Sequence, residues 1–353
     1  MSLSVVKASY WFSSPDFPAT DIDSSLFTHL FCAFADLDAS TNEITISTDN
    51  QSDFQAFTET VQKRNPSVQT LLSIGGGNSD KSAFASMASN PNSRRSFIDS
   101  SIRVARSYGF YGLDLDWEYP RDAAEMTDFG TLLQEWRSAV EAESSSTGIP
   151  PLLLTAAVYY SSNLYSLPYP VLDVANSLDW VNLMAYDFYG PAWSDVTGPP
   201  ACLYAPPNGG RSGDSGVKEW TGAGLPAKKA VLGLPYYGWA WTLQNPDNNG
   251  YDAATTGPAL SISESGEIGY RQLKGWIGEN GPEKVADTTV VGDYCYAGTT
   301  WIGYDSVDSV VTKVNYAKEN GLLGYFSWHV GGDDNSELSF AGQRAWEDTA
   351  ETE

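Results

Sequence analysis

The fold class this sequence predicts is α/β: a (β/α)8 barrel with a small α+β insertion between strands seven and eight. Three observations predict it. Eight apolar runs of strand length alternate with segments of helical character. The alternation is even except between the last two runs, where the segment 240–305 precedes the next helix. The chain has 353 residues, long for an ordinary domain but normal for such a barrel. The expected division is a barrel over 1–239 and 306–353, interrupted by a subdomain over 240–305.

In order, the runs suited to buried parallel strands are 5–12, 28–37, 68–75, 109–118, 152–159, 180–187, 230–237 and 322–328. Helices are expected over 51–65, 80–107, 124–144, 168–177, 215–226, 306–320 and 338–350, the second broken in two at Asn90-Pro91. The segment 240–305 reads as strand-like pieces between Gly and Pro turns, such as Asn248-Asn249-Gly250 and Thr256-Gly257-Pro258, followed by the β-branched run Thr288-Thr289-Val290-Val291.

The fourth run holds the most informative stretch, Leu113-Asp114-Leu115-Asp116-Trp117-Glu118. Three acids alternate with three large apolar residues, so a strand puts all three acids on one face, about 6–7 Å apart. Like charges at that spacing resist joint ionisation, and one carboxyl should keep its proton near neutral pH. A protonated acid beside an ionised one suits cleavage of a glycosidic bond. A Ca²⁺ loop would need turn residues between the acids, and none is present. An exposed strand would not carry Leu, Leu and Trp on its other face.

Composition narrows the partners. The net charge is −24, from 44 acidic and 20 basic residues, which argues against nucleic acids and anionic membrane surfaces and leaves a neutral polar substrate. Aromatic residues reach 13%, with 12 Trp and 20 Tyr, and could supply stacking platforms for sugar rings as well as core. Cys32, Cys202 and Cys295 have no metal-ligand spacing and allow at most one disulfide. With only His29 and His329, neither a His-rich metal site nor a Ser-His-Asp triad is expected, so no metal and no cofactor are implied. No run is long enough to span a membrane, and the start, Met1-Ser2-Leu3-Ser4-Val5-Val6, lacks the pattern of a signal peptide.

Barrel chemistry sits at the C-terminal ends of the strands. There the third run ends Ser73-Ile74-Gly75-Gly76-Gly77, the fourth at Glu118, the sixth Met184-Ala185-Tyr186-Asp187 and the eighth at Trp328. The glycines lack a phosphate-loop pattern and read as close packing that leaves room for a bulky ligand. Tyr186 and Asp187 offer a hydroxyl and a further carboxyl. Trp328 offers a flat floor for a pyranose.

These motifs resemble, in the same chain order, those of glycoside hydrolase family 18, the chitinases. The acid run resembles the family's Asp-x-x-Asp-x-Asp-x-Glu signature, with Tyr111 in place of the leading Asp. The stretch Ser24-Ser25-Leu26-Phe27-Thr28-His29-Leu30-Phe31-Cys32-Ala33-Phe34-Ala35-Asp36-Leu37 is similar to the plant class V group. The resemblance implies a monomeric chitinase acting on chitin or chitooligosaccharides by a retaining, substrate-assisted route. Glu118 would be the acid and then the base, Asp116 would hold the acetamido N–H, Asp114 would tune Asp116, and Tyr186 would pose the acetamido group. Met184 and Asp187 would line the pocket, with Trp328 flooring the sugar before the cleaved bond. Tyr10, Phe34 and Tyr237, at the ends of strands one, two and seven, would line it too, with Gly75 and Gly76 beside them. Trp193, on the loop after strand six, is a candidate for stacking the leaving sugar. Alternatives within the same fold are a chitin-binding lectin and a hydrolase specialised for lipo-chitooligosaccharide signals. The resemblance also implies a secreted or vacuolar protein with a leader ahead of Ser2, for which Asn50-Gln51-Ser52 offers a glycosylation site in a polar loop.

Overall fold

The computed structural model describes residues 4–348. Eight strands form the barrel: β1 (Val6–Phe12), β2 (His29–Leu37), β3 (Gln69–Gly75), β4 (Gly112–Asp116), β5 (Leu153–Tyr159), β6 (Trp180–Met184), β7 (Ala230–Pro235) and β8 (Gly324–Trp328). Each pairs in parallel with its neighbours in sequence order. Pairing of β1 with both β2 and β8, through Ala8↔His29 and Val6↔Gly324, closes the cylinder. The near-continuous apolar runs follow from this closure, since one face of each strand fills the barrel and the other packs under helices. Inside lie Val6, Ala8, Phe31, Leu71, Trp180, Val231 and Phe326; a larger core between strands and helices includes Leu72, Leu113, Leu115, Trp117, Leu132 and Trp136.

The helices are α1 (Thr48–Gln62), α2 (Lys81–Ala88), α3 (Pro91–Ser107), α4 (Ala123–Thr147), α5 (Val171–Ser177), α6 (Gly213–Gly222), α7 (Tyr270–Asn280), α8 (Val307–Glu319) and α9 (Glu337–Glu347). The break at Asn90-Pro91 is real: Asn90 caps α3 by accepting from the backbone N–H of Asn92 and Ser93, and Pro91 opens the helix. Helix α5 starts three residues later than 168–177 suggests, because Pro168 and Pro170 precede it. The sequon Asn50-Gln51-Ser52 lies in the first turns of α1 rather than in a loop. Residues 349–350 of the last expected helix lie outside the described residues, as do residues 1–3. No described helix is long and apolar enough to cross a membrane.

Three strand ends differ from expectation. Strand β4 stops at Asp116, so Glu118 stands just beyond it, and β6 stops at Met184, before Tyr186 and Asp187. Strand β7 ends at Pro235, and Tyr237 opens a separate antiparallel sheet. That sheet joins Tyr237–Leu243 to Thr255–Pro258, Glu267–Gly269 and Thr300–Tyr304, then Gly292–Ala297 and Glu283–Asp287. Helix α7 packs Leu273 against its Ala240, Ile268 and Ile302 face. Gly275 and Gly278 within α7 mask its helical pattern in the sequence.

The seam between β1 and β8 gives a direct test. A Cβ on Gly324 would fall 1.7 Å from the carbonyl oxygen of Val6, whereas one on Gly278 would meet nothing within 4 Å. Gly324→Ala should therefore destabilise the fold by about 3 kcal/mol or more, while Gly278→Ala should stabilise it by up to about 1 kcal/mol. Chemical denaturation of both variants measures the contrast.

Candidate active site

The acid column rises from the middle of the barrel to its mouth. Asp114 is wholly buried on β4. Its Oδ2 accepts from the Tyr10 hydroxyl on β1 at 2.7 Å and the Ser73 hydroxyl on β3 at 2.8 Å; its Oδ1 accepts from Thr155 on β5 at 2.7 Å. Asn182 on β6 donates to the Tyr10 hydroxyl at 3.0 Å, and the Trp180 indole donates to the Asn182 oxygen at 3.0 Å. Tyr10 therefore lies in mid-strand beneath the pocket, as a support for Asp114, and not at the strand end. Burial pushes the Asp114 carboxyl up, and the three hydroxyl donors pull it back.

Two residues on, Asp116 is 4% exposed and has no such donors. Its side chain lies within hydrogen-bonding range of Glu118, and its Oδ1 is buried without a partner. Burial, then the charge of Glu118, holds Asp116 well above the usual carboxylate range. Burial also raises Glu118, helped by Asp187 and opposed by its hydrogen bond to Asp116 and by Lys81. Carboxylates so close in a dry site resist joint ionisation, so the pair holds its proton more tightly than isolated carboxyls do.

The glycines after β3 act by clearance. Gly75 and Gly76 have φ of +111° and +97°; a Cβ would fall 2.2 Å from the Asp116 carbonyl oxygen and 2.7 Å from the Phe34 ring. Both are buried against protein, so they shape the pocket without lining it openly. Gly77, which is exposed, places a would-be Cβ 3.1 Å from the Glu118 carboxyl.

Above the column, Trp328 is half-buried with Phe34 stacked on it at 5.5 Å and Tyr10 tilted against it at 5.4 Å. Phe34 sits within β2 and not at its end. Met184 is buried in the same cluster as Tyr10, Trp180 and Phe326, against which Tyr186 and Trp328 pack. Burial, then the nearby charges of Asp187, Asp116, Glu118 and Asp114, raises the Tyr186 hydroxyl well above the usual tyrosine value and keeps it a donor. Asp187 adopts a left-handed backbone, φ +61°, uncommon outside glycine. Its Oδ1 accepts from the Tyr237 hydroxyl at 2.6 Å and from the Trp239 indole at 2.9 Å. Trp193, 45% exposed, meets Trp239 edge-to-face at 5.2 Å. Tyr111, where the signature departs from its usual Asp, lies ahead of β4 at the opposite end of the barrel, accepting from Gln62 at 3.1 Å.

Sequence reasoning missed Ser73, Thr155 and Asn182 as supports, although each is a polar residue inside an apolar strand run. Trp239 carried no signal, because its role depends on how the inserted sheet docks beside β6. Among the described residues no group of three or more His, Cys, Asp or Glu side chains could hold a metal ion.

The profile for glycosyl hydrolases family 18 matches residues 4–333. The chain belongs to that family. It is 68% identical over 352 residues to a class V chitinase of Arabidopsis thaliana, covering 100% of this chain and 92% of that one. A crystal structure of a class V chitinase from Nicotiana tobaccum, a Glu-to-Gln mutant in complex with NAG4, superposes with a TM-score of 0.96 at 50% identity, covering 98% of this chain and 99% of that one. A chitinase-like agglutinin from Robinia pseudoacacia gives a TM-score of 0.90 at 47% identity, covering 97% and 99%. This family 18 chain is thus a glycoside hydrolase grouped with the class V chitinases.

The buried pair has a consequence for stability. Asp116 and Glu118 hold protons more tightly when folded than when unfolded, where a carboxyl titrates at about 4. The folded state therefore carries more protons above that value, and stability falls as pH rises through the window between the unfolded and the raised folded pKa. Asp116→Asn should raise Tm at pH about 7, with the gain narrowing as pH falls towards about 4. Thermal melts of both proteins across that range read the effect.

Proposed function

We propose that this chain hydrolyses β-1,4-linked N-acetylglucosamine polymers and oligomers with net retention, the substrate's own acetamido oxygen acting as nucleophile. The observation that carries this reading is the proximity of Asp116 to Glu118. A carboxylate nucleophile stands about 5–5.5 Å from the acid across the scissile bond. Asp116 is within hydrogen-bonding range of Glu118 and cannot take that place. Asp187, the other acid of the pocket, has Oδ1 fixed by Tyr237 and Trp239.

Glu118, protonated through its shared proton, donates to the glycosidic oxygen. Asp116 accepts the acetamido N–H on its unpartnered Oδ1, which raises the electron density of the acetamido oxygen. That oxygen attacks the anomeric carbon as the glycosidic bond breaks, and an oxazolinium ion forms. Tyr186, a donor surrounded by carboxylates, holds the acetamido oxygen in line. Glu118, now ionised, takes a proton from water, which attacks the anomeric carbon and opens the ring. Trp328 carries the reacting sugar, and Trp193 stacks the leaving one.

The likeness to an agglutinin raises a second reading, sugar binding without turnover. Against it stands the complete column of Asp114, Asp116 and Glu118 with Tyr186 over it.

Reducing-sugar assays decide between the readings. Chitooligosaccharides should be hydrolysed, and fully deacetylated chitosan and cellulose oligomers should be inert, since both lack the acetamido group. Binding of chitooligosaccharides without turnover would favour the agglutinin reading, and cleavage of the deacetylated oligomer would exclude a substrate nucleophile. Glu118→Gln should retain binding and lose turnover by several orders of magnitude. Tyr186→Phe should weaken inhibition by a thiazoline mimic of the oxazolinium ion by about 1–3 kcal/mol, measured as a change in Ki.

A further inference from the structure

Past Trp193 lies a cavity of about 320 Å³ lined by Phe188, Tyr189, Trp193, Ser194, Gly210 and Arg211. It adjoins the catalytic residues along two walls. On one, Phe188 follows Asp187 directly, and Trp193 meets the Trp239 that holds Asp187. On the other, Arg211 lies near Tyr159, whose ring stands edge-on, at 5.7 Å, to Tyr119, the neighbour of Glu118.

Arg211 stands apart from the other buried and half-buried arginines. Arg94 pairs with Glu135 at 2.7 Å, Arg106 with Glu143 at 2.7 Å and Arg137 with Asp179 at 2.9 Å; Arg271 lies over the Phe17 ring. No carboxylate among the described residues forms an ion pair with Arg211. The acids that approach the same wall are engaged elsewhere: Asp252 accepts from Asn208 at 3.1 Å, and Glu219 accepts from the Ser161 hydroxyl. In a chain of net charge −24, Arg211 thus has neither the acid that pairs with Arg94, Arg106 and Arg137 nor the ring that lies under Arg271.

We infer that this cavity is an anion-recognising subsite on the leaving-group side, taking a chitooligosaccharide that carries a sulfate ester on a unit beyond the cleaved bond. The inference rests on the hydrolase reading for the direction in which the sugar chain crosses Trp193. A guanidinium presents paired donors that match two oxygens of a sulfate, and its charge strengthens both bonds. Trp193 gives the sugar a face to stack on, while the aromatic walls exclude water and strengthen the ion pair. The acidic surface elsewhere does not cancel this, because charges beyond about 8 Å are screened at physiological ionic strength and a contact pair is not.

Calorimetric titration of the Glu118→Gln protein, which prevents turnover, tests the subsite. The two ligands are N-acetylchitopentaose and the same pentamer sulfated at O6 of its reducing-end unit. The sulfated ligand should bind about ten-fold more tightly. Adding Arg211→Gln should abolish the difference, and Arg211→Lys should preserve part of it. Equal affinities in the Glu118→Gln protein, or a preference that survives Arg211→Gln, would overturn the assignment. Hydrolysis of the plain pentamer by the unsubstituted enzyme is measured alongside. Its absence would strike the hydrolase reading, whereas the affinity ratio reports on Arg211 alone.

Discussion

Everything at the mouth of this barrel depends on how Asp114 is held. A carboxylate in the middle of a packed barrel is costly unless its lone pairs are filled. Here hydroxyls from three other strands fill them: Tyr10 from β1, Ser73 from β3 and Thr155 from β5. The same bonds tie β4 to strands on both sides and across the barrel, so they fix the height at which its acids emerge. With Asp114 supplied with donors, the next acid up has no hydroxyl to pull its pKa back, and burial beside Glu118 holds Asp116 well above the usual carboxylate range. The chemistry above therefore begins as a hydrogen-bonding problem below.

The fold was largely legible because a closed parallel barrel writes a strong pattern: the strands are buried on both faces and every crossover after the first carries an α-helix. The acid run was legible for the same reason, since period-2 spacing put Asp114 and Asp116 on one inward face. That logic fails at its end. Strand β4 stops at Asp116, and Glu118 is placed by the chain beyond the strand, where alternation no longer governs direction. The strand-end positions expected for Tyr10 and Phe34 also failed, because both sit inside their strands.

What remained illegible depends on contacts between segments distant in sequence. Thr155 and Asn182 were visible as polar intrusions in apolar runs, but their shared target could not be read without knowing that β1, β4, β5 and β6 converge. Trp239 reaches Asp187 only because the inserted sheet lies beside the loop after β6. Arg211 lies in a loop before α6, with no periodic pattern to give it a direction. In each case the local sequence permits many roles, and packing selects one.

Retention through a nucleophile supplied by the substrate is the central claim, and the anomer of the first product tests it most directly. Proton NMR of a chitooligosaccharide digest, recorded before mutarotation, resolves the newly formed reducing end. The β-anomer should appear first and decay towards equilibrium. Initial α-anomer would require water to attack from the opposite face under a separate, distant base. That result would contradict the roles given to Asp116 and Tyr186, even with Glu118 still the acid.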